Sequence, residues 1–102
     1  MSFHEQKLWQ QSYVALMDIH EALEGVGAND LLESAQTVAA TIADGLTRRD
    51  PDVARHILET AVGQVAKTRT HLAVAWGRGI VSDETFKSID DAYARLSDSL
   101  QR

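Results

Sequence analysis

The stretch TIADGLTRRDP, residues 41–51, decides the fold. It sets a glycine beside an acid, then a pair of arginines, then the only proline in the chain. Glycine close to arginine suggests a phosphate-gripping loop, but no Gly-Lys-Ser/Thr follows and no strand pattern precedes it. Asp50-Pro51 reads instead as a helix start. An acid at the N-cap accepts from an otherwise orphaned backbone N–H, and proline at the first helical position loses nothing by lacking its own. The segment is therefore the joint between two helices, one ending near Arg48 and the next beginning at Pro51.

Outward from this joint the periodicity is helical almost everywhere, because apolar residues recur at spacings of three and four and no segment alternates like a half-buried strand. The first helix is expected from about His4 to Glu24. It carries Trp9, Tyr13, Leu16, His20 and Leu23 on one line, with Leu8, Ser12, Ala15 and Ile19 beside it. EGVGAN, residues 24–29, breaks it, since two glycines suit a left-handed stop and a turn. Asp30 with Glu33 resembles a capping box and opens the second helix, whose apolar line is Leu31, Ala35, Val38, Ile42 and Leu46. The third helix, from Pro51 to about Trp76, presents Ala54, Leu58, Ala61, Val65, Leu72 and Trp76 as its buried stripe, widened by Ile57, Val62 and Ala75. GRG at 77–79 ends it. Ser82, with Asp83 and Glu84 in the first turn, starts a fourth helix that runs to about Leu100, with Phe86, Ile89, Tyr93, Leu96 and Leu100 on its core line. Four helices with short connections imply an all-α, antiparallel up-down-up-down four-helix bundle.

At 102 residues and 44% hydrophobic, the chain suits a single domain spanning residues 1–102 with one modest core. It has no cysteine, which excludes disulfides, thiolate metal sites and thiol nucleophiles. The start lacks a secretory pattern and no apolar run approaches the ~20 residues that cross a bilayer, so a soluble, cytoplasmic protein with no membrane partner is expected.

The chemistry-bearing residues form no catalytic constellation. A bundle di-metal site needs Glu-x-x-His on two helices, and none occurs; His56 and Glu59 have the reverse order, and His20-Glu21 point about 100° apart. His4, His56 and His71 are expected at the surface, and His20 partly buried and hydrogen-bonded. Serines and threonines fall in helix interiors or caps without a Gly-x-Ser-x-Gly turn. No catalytic, metal or cofactor site and no small-molecule substrate is read, and the protein is expected not to be an enzyme. An enzyme or metal site around His20 is the outlying alternative.

Net charge is −5, which repels a phosphate backbone, so any nucleic-acid contact must be local. Residues 47–79 carry Arg48, Arg49, Arg55, Lys67, Arg69 and Arg78 against Asp50, Asp52 and Glu59, a local excess of cations. His56, Lys67, His71 and Arg78 fall in one sector of the third helix, roughly opposite its apolar stripe. This basic stripe is either a nucleic-acid contact or a solvated face paired with acids elsewhere. Self-association has its own candidates. Trp9 and Trp76 are anchors of the kind enriched at interfaces, and the small row Ala39, Ala40, Ala43, Gly45 and Gly63 either permits close approach between subunits or packs within one chain. Leu8, Trp9, Val14, Met17 and Ile19 spread apolar surface around more than one face of the first helix.

The order of landmarks resembles the small four-helix bundle protein family first noticed as open reading frames in 23S rRNA intervening sequences. FHEQKLWQQSYVALMDIH at 3–20, TIADG at 41–45, AVGQV at 61–65 and HLAVAWGRGIVSDETF at 71–86 carry the resemblance, which covers essentially the whole chain. It implies a homopentamer of antiparallel bundles in a ring. Relatives in that family include the accessory protein of diversity-generating retroelements, whose basic barrel binds nucleic acid and a reverse transcriptase. The chain departs from the family pattern at Leu32-Glu33, where paired basic residues are frequent, at Ala39, where proline is frequent, and at Lys67, where an acid is frequent. The expectation is a non-enzymatic oligomeric scaffold or adaptor; the alternative is direct RNA or DNA binding through the stripe.

Overall fold

A computed structural model describes residues 2–102. A short 3-10 turn at Phe3–Glu5 precedes four helices: α1 Lys7–Ala22, α2 Asn29–Thr47, α3 Pro51–Gly77 and α4 Asp83–Leu100. No strand occurs among the described residues. Helix α1 packs on α2 and on α4, α2 on α3, and α3 on α4, while the diagonal pairs α1–α3 and α2–α4 stay apart. The four helices thus surround one core, drawn out to 43 × 21 × 19 Å.

Caps set the boundaries. The Asp50 carboxylate accepts from the Asp52 N–H at 2.9 Å, with Pro51 as the first residue of α3. The Ser82 hydroxyl accepts from the Thr85 N–H at 3.1 Å and starts α4. Each such cap stabilises by about 1 kcal/mol. Helix α3 ends in a Schellman turn. Gly79 takes φ +78°, its N–H donates to Trp76 O at 3.0 Å, and the Ile80 N–H reaches back to Ala75 O at 2.9 Å.

Several expectations are corrected. The His4–Gln6 portion is not part of the first helix: Gln6 stays extended, and α1 opens at Lys7. The Asp30–Glu33 capping box does not form. Helix α2 begins at Asn29 behind Ala28, with no side-chain cap, and Asp30 lies in the first turn, where its charge suits the helix dipole. The buried residues of α1 are Ser12, Ala15, Leu16 and Ile19, followed by Leu23 just past its end; of the expected line Trp9, Tyr13, Leu16, His20 and Leu23, only Leu16 and Leu23 are buried, Trp9 is half-buried, Tyr13 and His20 are exposed, and no hydrogen bond holds His20 among the described residues. Trp76 leaves the buried stripe of α3 and is 42% exposed, because the Schellman turn carries the chain away beside it. The stripe's early members Ala54 and Leu58 are half-buried, and Thr68, which the apolar pattern passes over, is fully buried.

Ser34 and Thr68 make the polar link across α2 and α3. Their hydroxyls lie 2.7 Å apart, and Thr68 also donates to Gln64 O at 3.0 Å, so Thr68 accepts from Ser34. The two helices pack tightly at Gly45, where a Cβ would meet Leu58 Cδ2 at 2.8 Å and Leu58 Cγ at 2.9 Å. A methyl there makes the half-buried Leu58 side chain shift as a whole, and overpacking of this kind costs about 1–3 kcal/mol, against the ~1 kcal/mol of helix propensity that alanine gains over glycine. Gly63 has nothing within 4 Å of its would-be Cβ. Gly45→Ala is therefore expected to lower the denaturation midpoint and Gly63→Ala to raise it. Equal shifts in urea unfolding of the two variants would contradict the tight crossing.

Candidate functional site

The six candidate cations separate into two groups. Arg48 pairs with Asp44 one turn back on α2, Nη2 to Oδ1 at 2.9 Å, and Arg55 pairs with Asp52 within α3. Arg69 reaches across to α4 and grips Asp90 with two parallel bonds, Nε to Oδ1 at 2.8 Å and Nη2 to Oδ2 at 3.0 Å. The Asp90 hydrogen bond raises the Arg69 guanidinium above its ordinary value, with the Asp90, Asp91 and Asp98 charges adding and burial opposing. Arg49, Lys67 and Arg78 are exposed, and no ion pair engages them among the described residues.

The stripe on α3 is consequently thinner than its residue count. Lys67 and His56 face outward, while His71 is half-buried and, with Arg78, borders a shallow depression at the uncapped start of α2. Asp30 lines the same depression. No group of three or more His, Asp or Glu side chains stands close enough to hold a metal ion among the described residues.

The residues picked for self-association also divide. Ala39 and Gly45 are buried against the chain's own core, and Ala43 is half-buried on α2. Their small size already serves the approach of helices within one chain. Trp9 is half-buried in an aromatic cluster: it stacks on Tyr13 at 5.0 Å between ring centroids and meets Phe3 and His4 edge-on. Trp76 stacks on Phe86 at 4.4 Å, and its indole N–H donates to Asp83 Oδ1 at 2.7 Å. It is a strut between α3 and α4 with one face in solvent.

Apolar side chains on the outside are the larger feature. Tyr13, Val14 and Met17 on α1, Val26 after it, and Val53, Val74 and Trp76 on α3 are all exposed. Val14 is the most exposed of them, at 57%. Residue spacing reaches the Arg48–Asp44 and Arg55–Asp52 pairs, which are one helical turn apart. The Arg69–Asp90 and Trp76–Asp83 contacts depend on how α3 meets α4, and no local signal marks them.

Two buried polar atoms have no hydrogen-bond partner among the described residues, Gln64 Oε1 and Tyr93 Oη. Tyr93 is the largest fully buried side chain. Burial, with the Asp18 charge adding, pushes its phenol well above its ordinary value. An orphaned buried hydroxyl costs about 1–3 kcal/mol, so Tyr93→Phe is expected to leave stability unchanged or raise it at neutral pH. A raised phenol also favours the fold fully below the ~10 of an unfolded tyrosine and loses that contribution as pH climbs beyond it. The gap in thermal midpoint between Tyr93→Phe and the parent should therefore widen from pH 9 to 11; a constant gap would contradict the buried phenol.

Comparison with protein-family models, with curated proteins and with solved structures finds no match to the chain.

Proposed function

We propose that this chain is a non-enzymatic, self-associating helical bundle that serves as a scaffold or adaptor in a larger nucleic-acid or protein assembly. Its helices run up-down-up-down, as the three short connections favour. The resemblance to the 23S rRNA intervening-sequence family adds a five-membered ring, and a nucleic acid or a reverse transcriptase as the kind of partner such a ring meets. No helix is long and apolar enough to cross a membrane among the described residues.

The observation that carries the reading is the apolar surface left outside. Scattered exposed apolar residues are ordinary on a monomer, but Tyr13, Val14 and Met17 share two consecutive turns of one helix. Covering them removes apolar area from water at ~25 cal/mol per Å², and a second subunit is the simplest cover. Size exclusion with light scattering is expected to return a multiple of 11.2 kDa at micromolar concentration. A mass of one chain across the accessible range would overturn the reading.

A second reading, direct RNA or DNA binding, has one observation in its favour: Arg49, Lys67 and Arg78 pair with no acid among the described residues, and Arg78 stands with His71 beside the uncapped start of α2. If phosphates sit there, Lys67→Gln with Arg78→Gln weakens binding evenly across sequences and flattens its salt dependence. No retardation of a mixed nucleic-acid pool at low salt would end this alternative.

A further inference from the structure

The face formed by α1 and α4 is divided by charge. At one end the groove between the two helices is lined by Lys7, Gln10, Gln11, Val14, Ala15, Ala92 and Arg95, with two cations and no acid. At the other it is lined by Asp18, Glu21, Ala22, Glu84, Thr85, Ser88 and Ile89, with three acids and no cation. Both helices contribute to each end, so Lys7 and Arg95 share one end and Glu21 and Glu84 the other. Lys87 and Asp91, outside both linings, oppose one another in sign between the ends.

The spacing is symmetric. On α1, Lys7, Val14 and Glu21 are two turns apart in succession, so the charges stand ~10 Å to either side of Val14 along the helix. On α4 the midpoint between Glu84 and Arg95 falls beside Ser88 and Ala92. Val14, 57% exposed, is the apolar residue that stands between Lys7 and Glu21 on this face.

We propose that the α1–α4 face docks a second copy of this chain across a two-fold axis close to Val14, with Lys7 and Arg95 of each copy against Asp18, Glu21 and Glu84 of the other. A two-fold operation exchanges the ends of a surface about its centre. Here it sets cations on acids at both ends and Val14 beside its own counterpart between them. Charge complementarity of this kind fixes register and orientation. A closed ring uses heterologous contacts, so this face is a different one: it pairs chains, or pairs one ring with another. The inference rests on the self-association reading.

Two measurements test it on the full chain. The parent has no cysteine, so Val14→Cys carries a single thiol. Near the axis that thiol meets its own counterpart within the ~4.4–6.8 Å Cα separation a disulfide tolerates, and mild oxidation should give a covalent dimer far faster than from the comparator Val74→Cys. Separately, Lys7→Glu or Glu21→Lys should each weaken pairing at least ~10-fold, and the double swap should restore it, because each residue opposes the other across the axis. Circular dichroism confirms that these surface variants fold. Equal cross-linking rates, or a double swap as weak as its parents, overturn the inference. If the parent still runs as an oligomer under those outcomes, the scaffold reading stands; if the parent is a single chain throughout, both fall.

Discussion

The close crossing of α2 and α3 at Gly45 is the constraint on which the remaining packing depends. Leu58 occupies the space a side chain at 45 would need, and this brings two long helices together immediately above the joint at Arg48–Asp50. With Asp50 and Pro51 fixing where α3 begins, the α2–α3 hairpin presents Ala35, Val38 and Ile42 on one side against Ala61, Val65 and Leu72 on the other. Helices α1 and α4 complete the core by adding Ile19, Leu16, Ile89, Tyr93 and Leu96. Within this core Ser12, Thr68 and Ser34 turn their hydroxyls to backbone or to each other, so most of the buried polarity is satisfied locally.

The outer surface follows from what that core leaves over. Acids at 44, 52 and 90 absorb three of the arginines that make the middle of the chain look basic. Of these pairs, the two exposed ones contribute little to stability, since surface ion pairs are worth 0.2–1 kcal/mol at about the median. Their effect is on the field: they reduce the attraction of α3 for a polyanion. The exposed apolar residues of α1, Tyr13, Val14 and Met17, remain open to water.

Much of the architecture was legible because it is written in local signals. Asp50-Pro51 and Ser82 announce helix starts whose mechanism is contained within three or four residues, and the apolar lines of α2 and α4 recur at unmistakable helical spacing. Misreadings arose where tertiary context competes. Asp30 has the chemistry of a cap, yet the helix gains a residue upstream and the acid serves the dipole instead. Trp76 continues an apolar stripe by number, but the stripe reaches the end of its helix there, and the indole finds Phe86 and Asp83. The α1 face was ambiguous because it is apolar on two sides; only the placement of α2 and α4 shows that Ile19 goes in while Val14 and Met17 stay out. The candidate cations were visible as residues, whereas the Asp90 partner of Arg69, 21 positions away, was not.

The pairing of α1 with α4 has a bearing on when the protein acquires its outer face. Contacts between successive helices close short loops, whereas α1 and α4 are separated by the entire α2–α3 hairpin, and joining them carries the largest entropic penalty in the molecule. A chain emerging during synthesis has its first three helices before the fourth exists. The groove between α1 and α4 is therefore complete only once the fourth helix is in place.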